Sequence, residues 1–164
     1  MDYTIFNPDH AGQAACAKEE TEQAHMERVL RDACGQSLHE KLEEPGICDL
    51  LAPEFYACDA EGQSVTLAIT VKPWMLNPKT TLHGGMMAAM LDTAMGLLVR
   101  YYGQTLNVST IGLSVNYLRP AHNGERLLIT ARADKRGRRV IFTGGEIALP
   151  DGRKIATATA SFMI

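Results

Sequence analysis

The sequence predicts an α+β fold in which an antiparallel sheet of five to six strands wraps around one long central apolar helix, with an extra N-terminal helix. Three observations predict it. Eleven of the fourteen residues at 86–99 are apolar, and a helix that is hydrophobic all round belongs at the centre of a domain. The residues that follow alternate between apolar and polar side chains, as strands do. In the last stretch, 155–162, alanine alternates with threonine or serine, and such small side chains suit a closely curved sheet.

The first half of the chain predicts a helix, a hairpin and a loop. From about 11 to 42, apolar residues recur at threes and fours, which predicts an amphipathic helix that stops at Pro45-Gly46. Residues 55–71 predict a hairpin with its turn at 59–63. Residues 73–82 contain two prolines and an asparagine, and they predict a loop.

The central helix and the later strands complete the predicted fold. The apolar helix runs from about His83 to Tyr102, and Gly103 ends it. A single sheet of this length leaves edge strands unpaired, which favours dimerisation. The strands after the helix are centred on 111–117, 127–131, 140–142 and 155–162.

Composition limits the class of protein. The 164 residues are 46% hydrophobic and 21% charged, which suits one domain with a sizeable core. The net charge of −3 gives no general reason to expect a nucleic acid or a membrane as partner. No apolar run reaches the roughly 20 residues that span a bilayer, and we expect no signal peptide. Scattered cysteines favour reduced thiols in a cytoplasmic protein over a disulfide or zinc site: Cys16, Cys34, Cys48 and Cys58.

One carboxylate, Asp92, interrupts the apolar helix. A carboxylate in such surroundings is costly unless it is paired or lines a pocket. Its helical neighbours three and four residues away are Ala88, Ala89, Met95 and Gly96, and they supply no cation. We therefore expect Asp92 to line a cavity, and the alternative is a structural carboxylate tied to a loop N–H.

His83, Gly84 and Gly85 stand at the start of this helix. A helix N-terminus presents unpaired N–H groups and a partial positive charge. Glycines leave these groups open to another molecule's oxygen, so they could polarise a carbonyl as an oxyanion hole does. The alternative is that the two glycines only allow close packing of the helix on a strand.

The spacing of His83 and Asp92 points to a site shared by two chains. Nine residues of helix turn through half a revolution beyond two full turns and rise about 13 Å. The two side chains therefore face opposite ways and do not meet within one chain. If both serve one reaction, the site is built from two copies, and a homodimer carries two equivalent sites.

These residues together resemble a known family. The spacing Asn77–x5–His83-Gly84-Gly85–x6–Asp92, followed by Thr110 and by Val-Asn-Tyr-Leu-Arg-Pro at 115–120, looks like the hotdog-fold acyl-CoA thioesterases. More narrowly, it resembles the PaaI-like subgroup, which includes the phenylacetate-pathway thioesterases. The resemblance covers about residues 45–164. We therefore expect an N-terminal helical extension at 1–45 and a hotdog thioesterase domain at 46–164.

The resemblance implies roles for five residues. Asp92 is the base or nucleophile, and the backbone N–H of Gly84 polarises the thioester carbonyl. His83 supports the loop or bonds near the thioester, while Asn77 and Thr110 help to place the water. It also implies sites between subunits of a homodimer, with dimers that commonly pair into tetramers. A coenzyme A thioester is the substrate, so no cofactor is expected.

A basic segment and a loop supply candidate substrate contacts. Four of the five residues at 135–139 are cationic, and such side chains suit the phosphates of coenzyme A. The alternative is a solvated hairpin turn, and one short basic turn is too little for nucleic acid. Four methionines between 86 and 95 suit a broad acyl pocket, although core filling is the alternative for each. The expected substrate-binding residues are Trp74, Leu82, Gly85, Arg119, Lys135, Arg138 and Arg139.

Two other functions compete with thioester hydrolysis. A hotdog hydratase or dehydratase would act on enoyl or hydroxyacyl thioesters, but its catalytic histidine and acid are usually arranged differently. A non-catalytic acyl-CoA sensor would need the pocket without Asp92, and usually an attached DNA-binding domain. Both alternatives stay open on the sequence alone.

Overall fold

The computed structural model describes residues 20–35 and 45–164. The helix expected from about 11 to 42 is described only at residues 20–35. Its other residues, which include Cys16, lie outside the described residues. The helices are α1 (Glu22–Gly35), α2 (Ile47–Leu51) and α3 (Gly84–Gly103), and a short 3-10 helix spans Pro73–Met75. The strands are β1 (Glu54–Asp59), β2 (Ser64–Thr70), β3 (Ser109–Tyr117), β4 (Arg126–Arg136), β5 (Val140–Ala148) and β6 (Lys154–Met163).

The strands form one six-stranded sheet, and α3 packs against one face of it. The strand order is β1-β2-β4-β5-β6-β3, with every neighbouring pair antiparallel. The sheet buries α3 along most of its length, because Met90, Leu91, Met95 and Leu98 are fully buried. The α+β class, the hairpin and the central helix expected from the sequence are therefore confirmed.

The inner face of the sheet explains why the last strand is rich in alanine. Ala156, Ala158 and Ala160 are buried and alternate along β6. Their inward side chains are small, so the strand can approach the helix closely. Gly145 of β5 is another close approach, because a Cβ there would lie 3.2 Å from both Leu91 Cδ2 and Met95 Sδ.

Helix α1 joins the same hydrophobic core. Met26 and Leu30 are fully buried, and they belong to the cluster that contains the α3 and sheet side chains. The Gln23 side chain also accepts from the Ala60 N–H at 2.8 Å and donates to the Cys58 carbonyl at 2.9 Å. The expected boundary between an extension at 1–45 and a domain at 46–164 stays a prediction.

Two local features differ from the sequence expectation. Residues 47–51 form the short helix α2, which is too brief to give a periodic signal. Gly103 is the last residue of α3, and Gln104 takes the left-handed C-cap position with φ 48°. Position 103 favours glycine for another reason, because a Cβ there would lie only 3.1 Å from Ile164 Cγ2.

The cysteines within the described ranges are free thiols: Cys34, Cys48 and Cys58. Burial raises the pKa of the Cys34 thiol to about 11, so this group is protonated at neutral pH. Among the helices that the structure describes, none combines the length and apolar character needed to cross a membrane.

Candidate functional site

The N-terminus of α3 is capped by His83. Its backbone is extended, with φ −66° and ψ 135°. The Gly85 N–H donates to His83 Nδ1 at 2.9 Å, and the Met86 and Met87 N–H groups donate to the His83 carbonyl. An Nδ1 that accepts places the proton of the neutral ring on Nε2. His83 thus supports the start of the helix, which is one of the two roles considered for it.

The cap leaves one free backbone donor. The four N–H groups that have no partner in the helix belong here to His83, Gly84, Gly85 and Met86. The His83 N–H donates to the Met75 carbonyl, the Gly85 N–H donates to His83 Nδ1, and the Met86 N–H donates to the His83 carbonyl. The fourth belongs to Gly84, and the described residues offer it no acceptor. The sequence pointed to a group of helix-end donors, and the structure narrows that group to the Gly84 N–H. Gly85, expected to contact substrate, has its own N–H engaged by His83.

Asp92 is the ninth of the 20 residues of α3 and is half-buried. Its partner comes from the sheet, because Thr110 Oγ1 donates to Asp92 Oδ1 at 2.8 Å. No cation lies in an ion pair with it among the described residues. One carboxylate oxygen is therefore oriented by a hydroxyl, and the other remains available for chemistry.

The loop before α3 is held by Asn77. Its Oδ1 accepts from the N–H groups of Lys79 at 2.8 Å and Thr81 at 3.3 Å, and its Nδ2 donates to Thr81 Oγ1 at 2.9 Å. Between them Thr80 has φ 60°, a conformation that a β-branched residue rarely adopts. The loop is joined to the helix start, because the His83 N–H donates to the Met75 carbonyl at 2.9 Å. Asn77 thus shapes the loop beside Gly84.

Gly84 and Asp92 are separated within one chain. Eight helical residues rise about 12 Å, too far for both to contact one thioester carbonyl. From the sequence, His83 was expected to be a helical residue half a turn away from Asp92. Because His83 is the extended N-cap, that angle does not apply strictly, but the separation of Gly84 and Asp92 along the helix axis does. Strand β3 runs alongside, with Thr110 at Asp92 and Tyr117 at Gly84, where Tyr117 Oη donates to the Gly84 carbonyl at 3.2 Å.

The expected acyl contacts lie near the helix start. Trp74 belongs to the 3-10 helix and is 47% exposed. The carbonyl of its neighbour Met75 accepts from the His83 N–H, so Trp74 is one residue from the backbone contact with the capped end of α3. Leu82 is buried and pairs with Leu76 across the loop, so its side chain belongs to the core.

The basic residues occupy two ends of the sheet. Lys135 and Arg136 are in β4, and the Arg136 guanidinium lies 4.4 Å from the Tyr102 ring centroid. Arg138 and Arg139 are in the turn before β5, near the strand end that pairs with β6 and then with Ser109 of β3. Arg119 lies past the other end of β3, where it donates to the Lys154 carbonyl at 2.9 Å.

Tyr117 is the residue of this region that sequence reasoning left without a role. It falls inside the segment 115–120 that carries the resemblance, but a tyrosine in an alternating strand gives no signal beyond its place in the strand. Its contact with Gly84 joins residues 33 apart in the chain. The described residues also contain no group of three or more His, Cys, Asp or Glu side chains arranged to hold a metal ion.

Comparison with known proteins identifies the family. A family model described as the thioesterase superfamily matches residues 79–156. The medium/long-chain acyl-CoA thioesterase YigI of Escherichia coli K12 is 32% identical in an alignment of 122 positions that covers 63% of this chain and 77% of the relative. The chain belongs to the thioesterase superfamily. The enzyme class expected from the sequence, a thioester hydrolase, is thereby confirmed.

Solved structures agree with this assignment. A phenylacetic acid degradation-related protein of Ralstonia eutropha JMP134 is 33% identical with a TM-score of 0.66, and the match covers 80% of this chain and 98% of that one. A hypothetical thioesterase protein of Streptococcus pneumoniae TIGR4, solved with coenzyme A, is 27% identical with a TM-score of 0.58, over 61% of this chain and 79% of that one. The hotdog fold and the PaaI-like resemblance are confirmed.

Proposed function

We propose that this chain hydrolyses acyl-CoA thioesters to a free acid and coenzyme A, using Asp92 of one subunit and the Gly84 N–H of another. The observation that carries the proposal is the cap of α3, in which three of the four N-terminal donors have partners and the Gly84 N–H has none among the described residues. A free donor at a helix N-terminus suits the oxygen of a thioester carbonyl as negative charge develops on it.

Asp92 supplies the second half of the reaction. As a general base it takes a proton from water while the water oxygen bonds to the carbonyl carbon. The carbon–sulfur bond then breaks, and the thiolate of coenzyme A leaves. As a nucleophile, Asp92 bonds to the carbonyl carbon first, the carbon–sulfur bond breaks and the thiolate leaves, and water then hydrolyses the resulting anhydride. The Thr110 hydroxyl orients the carboxylate in both routes, and neither route requires a cofactor.

The edge strand β3 supports a dimer that completes the site. It lies at one end of the sheet order, so one of its sides has no strand neighbour among the described residues. Antiparallel pairing of two copies about Ser114 would set Ile111, next to Thr110, opposite Tyr117 of the partner subunit. Because Thr110 contacts Asp92 and Tyr117 contacts Gly84, this pairing brings the two half-sites together.

The same pairing groups the cations. Arg119 of the partner subunit would reach the end of the sheet at Ser109, where the turn with Arg138 and Arg139 lies. Three guanidinium groups from two chains suit the phosphates of coenzyme A. The relative solved with coenzyme A supports a ligand of this class. Pairing of dimers into tetramers and a cytoplasmic location stay predictions.

A hydrolysis screen tests the proposal. Purified protein is assayed with aromatic, medium-chain and long-chain acyl-CoAs, classes that the phenylacetic acid-related and medium/long-chain relatives suggest. Asp92→Asn should lose hydrolysis of every substrate that the native protein cleaves while it keeps its fold. If folded Asp92→Asn hydrolyses the panel at the native rate, the proposal fails.

Heavy-oxygen water separates the two roles of Asp92. In a single turnover, a general base sends the label directly into the released acid. In the nucleophile route, attack of water at the aspartyl carbon of the anhydride leaves the label in the Asp92 carboxylate, which the general-base route never labels. Mass spectrometry of the peptide that contains Asp92 distinguishes the routes.

A further inference from the structure

Tyr117 packs directly on Gly84. Its hydroxyl donates to the Gly84 carbonyl at 3.2 Å. A Cβ at position 84 would lie 3.2 Å from Tyr117 Cζ and 3.4 Å from Cε1, which is tighter than ordinary contact. The ring therefore packs against Gly84, and a Cβ at this position would require the ring to move by a few tenths of an ångström.

The peptide unit between Gly84 and Gly85 is held at both of its polar atoms. Tyr117 Oη binds its carbonyl oxygen at 3.2 Å, and His83 Nδ1 accepts from its N–H at 2.9 Å. Two consecutive glycines have more backbone freedom than any other pair of residues. Side chains from outside the pair thus supply the restraint that the glycines themselves lack.

We propose that Tyr117 is a positioning residue, which fixes the Gly84 backbone so that its free N–H stays aimed at the thioester carbonyl. This inference rests on the proposed function and adds to it the group that orients the donor. An oxyanion donor contributes through preorganised geometry, and small displacements of a reacting group reduce rates strongly. Tyr117 does not touch the reacting atoms in this role.

The place of Tyr117 in the sheet links the donor to the dimer. The residue ends β3, the free edge strand, and it is 55% exposed in the single chain. Pairing of β3 with its copy would cover this side chain and remove water from the bond to Gly84. Since hydrogen bonds strengthen when water is excluded, formation of the dimer would tighten the position of the Gly84 N–H.

Tyr117→Phe tests the inference, with Tyr56→Phe as the matched control. Both tyrosines are about equally exposed, at 55% and 56%, and Tyr56 lies on β1 at the opposite edge of the sheet. Loss of one neutral hydrogen bond predicts a fall in kcat of about three- to tenfold. KM should stay within about twofold, because the ring that shapes the site is retained. Tyr56→Phe should match the native protein.

A spectroscopic measurement reports the position of the donor directly. Asp92→Asn protein, which should bind acyl-CoA without consuming it, is loaded with a thioester whose carbonyl carbon is isotope-labelled. The infrared stretch of that carbonyl falls in frequency when a donor polarises it. In Asp92→Asn protein that also carries Tyr117→Phe, the carbonyl frequency should move part of the way back towards that of the free thioester. In Asp92→Asn protein that also carries Tyr56→Phe, the frequency should not change.

The outcomes separate the two proposals. If Asp92→Asn keeps native hydrolysis, the proposed function fails whatever Tyr117 does. If Asp92→Asn is inactive, but Tyr117→Phe keeps both native kcat and the full carbonyl shift, only the positioning role is overturned. Kinetics are measured at protein concentrations at which sedimentation shows the same assembly for all variants, so a weakened dimer does not imitate the effect.

Discussion

Replacement of Gly84 by proline removes one hydrogen-bond donor with little change to the helix. Residue 84 is the first residue of α3, a position where proline is favoured because its missing N–H has no helical partner. The preceding residue, His83, has φ −66° and ψ 135°, which is the region that a following proline requires. The Gly84 N–H has no acceptor within the described chain, so folding loses no internal bond.

Gly84→Ala is the matched control for this substitution. Both variants add a Cβ that stands 3.2 Å from Tyr117 Cζ, and both restrict the unfolded chain relative to glycine. Alanine keeps the N–H, whereas proline lacks it. The ratio of the two kcat values therefore isolates the donor, and the loss of one oxyanion donor predicts that proline is slower by about 100- to 1,000-fold.

Loss of the thioester's ultraviolet absorbance measures this ratio for any acyl-CoA that the native protein cleaves. Circular dichroism and thermal unfolding establish that both variants are folded. If Gly84→Pro is folded and its kcat lies within about threefold of Gly84→Ala, the Gly84 N–H does not polarise the substrate, and the reasoning from the cap is refuted.

Three further predictions concern the carboxylate, the cations and the first helix. Thr110→Val removes the donor to Asp92 at 2.8 Å and should lower kcat by about tenfold or more in the same assay, because bonds to charged groups are the stronger ones. Arg138→Ala with Arg139→Ala should raise KM for a coenzyme A ester far more than for the pantetheine ester, which lacks the nucleotide. Leu30→Ala, at a fully buried site, should lower the free energy of unfolding by about 2–5 kcal/mol in urea titration.

Each of these predictions has its own control. Thr110→Ser keeps the hydroxyl and should retain most of kcat, so equal losses in the valine and serine variants would contradict the hydrogen-bond role. Arg126→Ala with Arg132→Ala makes the same change of charge on the exposed face of β4 and should leave both KM values alone. Arg31→Ala on the exposed side of α1 should cost far less stability than Leu30→Ala.

The sequence was informative about the centre of this fold for a physical reason. Residues 86–99 are too apolar for a surface helix, and a strand-rich remainder leaves few other ways to bury them. The alternating alanines of the last strand were a second signal, and in the structure Ala156, Ala158 and Ala160 are buried on the face of the sheet that packs against α3. The order of the strands in the sheet could not be predicted in this way. Strands β2 and β4 are neighbours in the sheet, but α3 and β3 lie between them in the sequence. Local periodicity carries no information on such pairings.

The candidate site was predictable in its residue types but not in its contacts. From the sequence, His83 was expected to support the loop or to lie near a thioester. In the structure it caps α3, and the Gly84 N–H has no acceptor among the described residues. The bond from Thr110 to Asp92 spans 18 residues, and the bond from Tyr117 to Gly84 spans 33. Both depend on how the edge strand lies along the helix, which only the three-dimensional fold determines.

Subunit mixing tests the central claim, that each site combines Asp92 of one chain with Gly84 of another. Asp92→Asn and Gly84→Pro proteins are purified separately, mixed in equal amounts, and allowed to exchange subunits, with exchange followed by native mass spectrometry. Random pairing makes half of the dimers mixed, and each mixed dimer holds one site with both native groups and one with neither. The predicted result is recovery of about one quarter of native activity from two nearly inactive proteins. Complete subunit exchange without recovered activity would contradict the account.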